Sequence, residues 1–317
     1  MNAKELFAPV KTKIYKTGQT RGADDDVIFQ NRVGRNSTVL IPFKEFDTYH
    51  KWLSDGFSFE KGYIVLISPE DFFSLTIEIL KSCYGLQLGK NLLVFYETRE
   101  QWINYPVPSK WKLPTSREAP LGGQYVARVP ATTAEGGEKI ILGYNQTRLK
   151  GAGIRVYEYA DSQTIDLCKL QLEYLFWSCY DIQNFISQAG SESDILKEHM
   201  ENTIKKAKAK GVADLELFRQ ARIVDDEGFT ICPLCLKRMS AITFTSRIQQ
   251  AKGREVPDLT VTDTSLFHIE ELRTGLLNHK LYNLGWGHHH CNVTIADRGV
   301  EGTLHWMHQI LVANHIV

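Results

Sequence analysis

Two short stretches in the C-terminal third hold the side chains best suited to chemistry: ICPLCLKRM from Ile231 and NLGWGHHHCN from Asn283. Cys232 and Cys235 have the CxxC spacing at which two thiolates leave one tight turn towards a single ion. On its own that pair also fits a reduced redox couple or two buried thiols. His288 and Cys291 repeat the two-residue gap, so the two pairs together describe a tetrahedral Cys3His site. Thiolate and imidazole donors at this spacing suit zinc, and four protein ligands leave no open position, which makes the ion structural. Any catalysis must then fall to other residues.

Between the half-sites, LFHIEEL reads as a short strand carrying His268 near its end, followed by a Gly-containing loop and Asn283-Leu284. The order of CxxC, strand-end His, Asn-Leu, then a closing ligand-x-x-Cys-Asn resembles the HNH nucleases of the ββα-metal class. Asn283, His288, Cys291 and Asn292 sit at the family's spacings, with His288 in place of its usual first cysteine. The resemblance covers 231–306. It implies that His268 is the general base activating a water, that Asn283 steadies the loop behind it, and that Asn292 helps hold a catalytic divalent ion such as Mg²⁺. Many members have an acidic residue just before the strand-end histidine, whereas this chain has Phe267. Glu270, on the face of His268 if the strand continues, is the expected substitute, with Glu271, His289 and His290 as others. A solvated acidic pair is the plainer reading of Glu270 and Glu271, and packing beside the metal that of His279, His289 and His290, with a DNA-phosphate contact equally reasonable.

The chemistry asks for this grouping independently of any family. Phosphodiester hydrolysis needs a deprotonated water in line with the leaving oxygen and a cation to absorb the charge that develops. An imidazole, with an ordinary pKa of about 6.5, is matched to taking that proton near neutrality. Zinc would fix a module too small to be held rigid by its own core.

The elements that must position these residues change character along the chain. From Lys11 to Lys150, STVLIPF, KGYIVLISP, NLLVFYE, QYVARVP and EKIILGYN are apolar runs bounded by turn residues, which predicts a mostly β region. SPEDFFSLTIEILKSCYG predicts one interrupting helix. Apolar residues from Ile165 to Phe185 recur every three or four positions, predicting a long buried helix over 162–187. Ser191 and Asp194 suggest a capping box for the next helix. The fold class expected is α+β: a β-rich DNA-recognition and dimerisation region over 1–189, a helical connector over 190–228, and a zinc-stabilised ββα-metal (HNH) module over 229–317.

Composition narrows the function classes. Lys plus Arg equals Asp plus Glu at 37 each, so no net field draws the molecule onto any polyanion, which argues against non-specific coating of DNA. No apolar run is long enough to span a membrane, and MNAKELFAPVKTK carries charges where a signal peptide needs an apolar centre, so a cytoplasmic protein is expected. Arg99, Lys110, Lys112, Arg117, Arg148 and Lys150, interleaved with Trp102 and Trp111, suit a nucleic-acid surface. An ordinary solvated face over buried tryptophans is the plainer reading of each.

A large non-repetitive region joined to one nuclease module resembles the organisation of type II restriction endonucleases. That resemblance implies double-stranded DNA as substrate and a homodimer matched to a two-fold site; the helix near 164–187 serves either that interface or the monomer's core. A modification-dependent or mobile-element nuclease is the enzymatic alternative. A non-catalytic zinc-stabilised DNA-binding protein is the alternative of another class.

Overall fold

The computed structural model describes residues 2–15, 39–47, 50, 62–115, 120–128, 141–142, 160, 162–246, 262–270, 278–296 and 298–316. The chain forms two compact units, Met1–Thr17 with Ser162–Val317, and Gly18–Asp161. The division therefore falls at 17/18 and 161/162, not near Ala189. No helix among the described residues is long and apolar enough to cross a membrane.

In the Gly18–Asp161 unit all five apolar runs contain strands: β1 (Val39–Pro42), β2 (Tyr63–Ile67), β3 (Leu92–Tyr96), β4 (Tyr125–Arg128) and β5 (Ile141–Leu142). They form one sheet in the order β1-β2-β3-β4-β5, with every pair parallel except β4 and β5. Helices occupy the crossovers: Pro69–Ser74 (α2) and Ile77–Tyr84 (α3) link β2 to β3, and Arg99–Asn104 (α4) follows β3, while α1 (Ala3–Tyr15) belongs to the other unit. The region is thus α/β, not mostly β. Parallel neighbours require crossovers, and a parallel sheet is covered on both faces, so its strands read as unbroken apolar runs. Ile41, Val65, Val94 and Ala127 pack on one side, and Leu40, Ile64, Leu93 and Val126 on the other.

The single helix expected over 68–85 is two. Ser68 and Pro69 start the first, the Ser68 hydroxyl accepting from Asp71 N. Thr76 starts the second by accepting from Ile79 N, and Gly85, at φ 63°, ends it. A second internal cap of this kind favours a break at Leu75.

The other unit begins with α1 (Ala3–Tyr15) and continues with α5 (Ser162–Trp177), α6 (Ile182–Ser187), α7 (Ser193–Ala209), α8 (Leu215–Gln220), the antiparallel pair β6 (Thr264–His268) and β7 (Leu284–His288), then α9 (His289–Ile295) and α10 (Gly299–Ala313). α1 joins this core through Phe7, stacked on Trp177 at 5.1 Å. The helix expected over 162–187 breaks after Trp177 because its carbonyls find tertiary partners. Leu175 O accepts from the Thr230 hydroxyl and Ser178 O from Thr230 N. The Asp181 carboxylate then accepts from Ala241 N and the Ser240 hydroxyl. The Ser191 capping box does not form: α7 is preceded by a 3-10 turn, Gly190–Glu192, and Glu192 at its N-cap does not cap the helix, its carboxylate accepting instead from Ala3 N.

α5 is core and offers no free apolar face for a dimer, with Cys168, Leu172, Leu175 and Phe176 all fully buried. Its polar residues hold β7 in place. Buried Gln171 donates to Leu284 O and accepts from Tyr282 N, and Leu172 O accepts from the Trp286 indole.

Candidate metal centre and active site

The CxxC segment is a tight knuckle. Leu236 N donates to Cys232 O and Cys232 N to Lys237 O, with Leu236 itself left-handed at φ 58°. Cys232 is buried and Cys235 half-buried at this turn. His288 ends β7 and caps α9, and Cys291 lies one turn into that helix. One ligand atom from each of Cys232, Cys235, His288 and Cys291 lies within 4.8 Å of all the others. Cys235 Sγ and His288 Nδ1 are 3.3 Å apart. Burial and the neighbouring Cys232 and Cys235 sulfurs push the Cys291 thiol up. Three thiolates so close cannot ionise together without a cation, so the donor set fits zinc in type, number and spacing. All six cysteines are free of disulfides.

The hairpin carries this centre. His268 pairs with Leu284, Phe267 with Gly285 and Thr264 with His288, and α9 packs on both strands. Phe267 is fully buried in the core and supplies no metal ligand. It also dictates a glycine: a Cβ on Gly287 would lie 2.3 Å from Phe267 Cδ2. Gly287→Ala is expected to lower stability by about 1–3 kcal/mol through overpacking, measured by denaturant unfolding. An unchanged midpoint would mean the ring moves aside freely.

β6 ends at His268, so the strand does not continue to place Glu270 beside it. Glu270 is exposed, and its backbone is held instead: Glu270 N donates to Asn283 Oδ1 at 2.7 Å, and Asn283 Nδ2 donates to Glu270 O at 3.1 Å and Asn278 O at 2.7 Å. Ile269 N adds a bond to Asn283 O. Asn283 is buried and clamps the turn that follows His268. Asn292 is half-buried on α9, directly after the metal-site Cys291. His289 is half-buried and its N–H donates to Asp263 O, while His290 is exposed and stacks on His288 at 5.4 Å. His305 and His308 are exposed on α10, and Glu271 lies outside the described residues.

His268 and His279 both have their pKa values lowered. Burial lowers His268 to about 4. Burial, then the nearby His268 ring, lowers His279 to about 3. Both are therefore neutral at pH 7, and His268 has a lone pair available to take a proton. Each binds its proton less readily folded than unfolded, where an ordinary histidine titrates near 6.5. Their stabilisation is complete above about pH 6.5 and is lost as pH falls towards 4, by on the order of 1.4 kcal/mol per pH unit for each. Urea unfolding at pH 8, 6 and 5 should show this steep loss, and His279→Phe should make it shallower. Equal slopes would show that His279 keeps an ordinary pKa.

Of the residues expected to touch nucleic acid, Lys110 and Lys112 are exposed and Arg99 is half-buried at the start of α4. Trp102 and Trp111 pack against the sheet core. Arg117, Arg148 and Lys150 lie outside the described residues. The sequence assigns no structural role to Gln171, and for His279 it offers packing beside the metal or a DNA-phosphate contact ahead of a catalytic role. No spacing rule singles either out.

The family model described as BstXI restriction endonuclease matches residues 12–289. The chain belongs to the BstXI restriction endonuclease family. The match takes in segments of both units, including Cys232, Cys235, His268, Asn283 and His288; Cys291 and Asn292 follow its end. No curated protein matches the chain significantly. A solved structure described as "Crystal structure of a type II restriction endonuclease" is similar at 13% identity, over 50% of this chain and 55% of that chain, with a TM-score of 0.27. The chain thus spans about half the length of that restriction endonuclease.

Proposed function

We propose that this member of the BstXI restriction endonuclease family is a type II, sequence-specific endonuclease of double-stranded DNA whose active site is an HNH (ββα-metal) module. The observation that carries this reading is the Cys3His cluster closing over an antiparallel hairpin and short helix, with His268 at the strand end and Asn283 clamping the turn behind it.

In this reading zinc is structural, held by Cys232, Cys235, His288 and Cys291. Neutral His268 accepts a proton from water, and the resulting oxygen attacks phosphorus. A new P–O bond forms as the bond to the leaving oxygen breaks, and that oxygen picks up a proton from solvent. Asn283 fixes the backbone that aims His268. A Mg²⁺-class ion supplies charge stabilisation when bound. A hard cation needs few protein oxygens because it keeps waters and takes phosphate oxygens, so the Asn292 amide and the exposed Glu270 carboxylate are the donors offered to it. Arg99, Lys110 and Lys112, with Arg117, Arg148 and Lys150, are the proposed phosphate contacts. The enzyme is read as a cytoplasmic homodimer, since one such site cuts one strand.

The test is digestion of unmodified phage DNA by the purified protein with Mg²⁺ or with EDTA. Discrete Mg²⁺-dependent bands are expected. Intact unmodified DNA alongside cut modified DNA would favour the modification-dependent alternative. Intact DNA of both kinds would favour the non-catalytic zinc-stabilised DNA-binding protein, the reading that the buried Phe267 supports.

A further inference from the structure

Three imidazole nitrogens beyond the hairpin's end are shielded from solvent and make no hydrogen bond among the described residues: Nε2 of His268 and both Nδ1 and Nε2 of His279. The two rings lie 5.9 Å apart between centroids, inclined at 50°. A buried polar atom left unpaired costs about 1–3 kcal/mol, and such atoms are nearly always matched by a protein group, ordered water or ion. Unpaired nitrogens on two neighbouring rings therefore mark a place for a polar guest. No direct nitrogen-to-nitrogen bond forms, and the ring separation suits a bridge bent at a single oxygen.

We propose that His279 is a positioning residue of the nuclease site, holding with His268 a water molecule between the two rings. The proposal rests on the reading of His268 as general base. A neutral His279 donates its N–H to the water oxygen. The water in turn donates to the His268 Nε2 lone pair, so the proton to be removed already points at its acceptor. The second oxygen lone pair is left to attack phosphorus. The other His279 nitrogen, an acceptor in that tautomer, is left to a second water. Alternative ring packing alone would not need nitrogen at either position.

Two measurements on the zinc-loaded full chain decide this. A crystal structure that resolves ordered water should show an oxygen within hydrogen-bond reach of His268 Nε2 and a His279 nitrogen; a dry gap overturns the proposal, whether or not the protein cuts DNA. On cleaved DNA, His279→Phe, which keeps a ring of similar size, should lower kcat about a hundredfold with KM and zinc content unchanged, and His279→Gln should recover part of the loss. A His279→Phe enzyme turning over at the wild-type rate would also overturn it. His268→Ala cutting normally would instead remove the general-base reading, leaving the water bridge to be judged by the crystal structure.

Discussion

Cys232→Ser is expected to release the bound zinc and unfold the hairpin and knuckle, with a large drop in melting temperature. Cys232 is fully buried, and its sulfur is one of four donors drawn within 4.8 Å. A structural zinc contributes an apparent ~10–16 kcal/mol at neutral pH in small modules, as much as the whole stability of a typical domain, about 5–15 kcal/mol. An ion held by these four donors would tie the knuckle at 232–238 to β7 and α9, which are far away in sequence. Its loss should therefore be felt at His268, which pairs with Leu284 on the partner strand. Metal analysis should find zinc in the wild type and not in the variant, and thermal unfolding followed by circular dichroism should show the earlier transition. Strong chelation of the wild type should reproduce it. A Cys232→Ser protein that keeps both its zinc and its melting temperature would show that the cluster is not a closed metal site.

The second large effect is expected from His268→Ala, which should lower cleavage by about 10²–10⁴-fold, the usual range for a lost general base. DNA affinity and zinc content should remain near wild type, because His268 is not among the four metal donors and contributes no charge at neutral pH. His268→Asn serves as a companion variant that keeps a polar group and fills more of the site. It too should be nearly inactive, since an amide cannot take up the proton. Retained cleavage in both would dismiss His268 as base. Lost DNA binding in both would place the defect in folding or recognition, not in proton transfer.

Much of the Cys3His cluster was legible without coordinates because its information is local: CxxC and His-x-x-Cys are spacings along the chain that zinc geometry would draw together. The five strands were legible too, since Tyr63–Ile67 and Leu92–Tyr96 are unbroken β-forming apolar runs. Their parallel arrangement was not. A run buried on both faces looks the same whichever way its neighbours point, and the short crossover helices depend on caps at Ser68, Thr76 and Thr98 that resemble ordinary turn residues. The unit boundary escaped for a related reason: only packing reveals that α1 belongs with α5, some 150 residues away in sequence.

What the sequence by itself determined was the four residues of the Cys3His cluster, the strand positions and the balance of charge. What only the tertiary structure decided was which side chains meet: Phe267 turned into the core against Gly287, Gln171 gripping the hairpin edge, Asn283 closing on the Glu270 backbone, and His279 brought beside His268. Ligand spacing is a property of neighbours along the chain, whereas burial and side-chain pairing depend on contacts between distant segments, which no local pattern encodes.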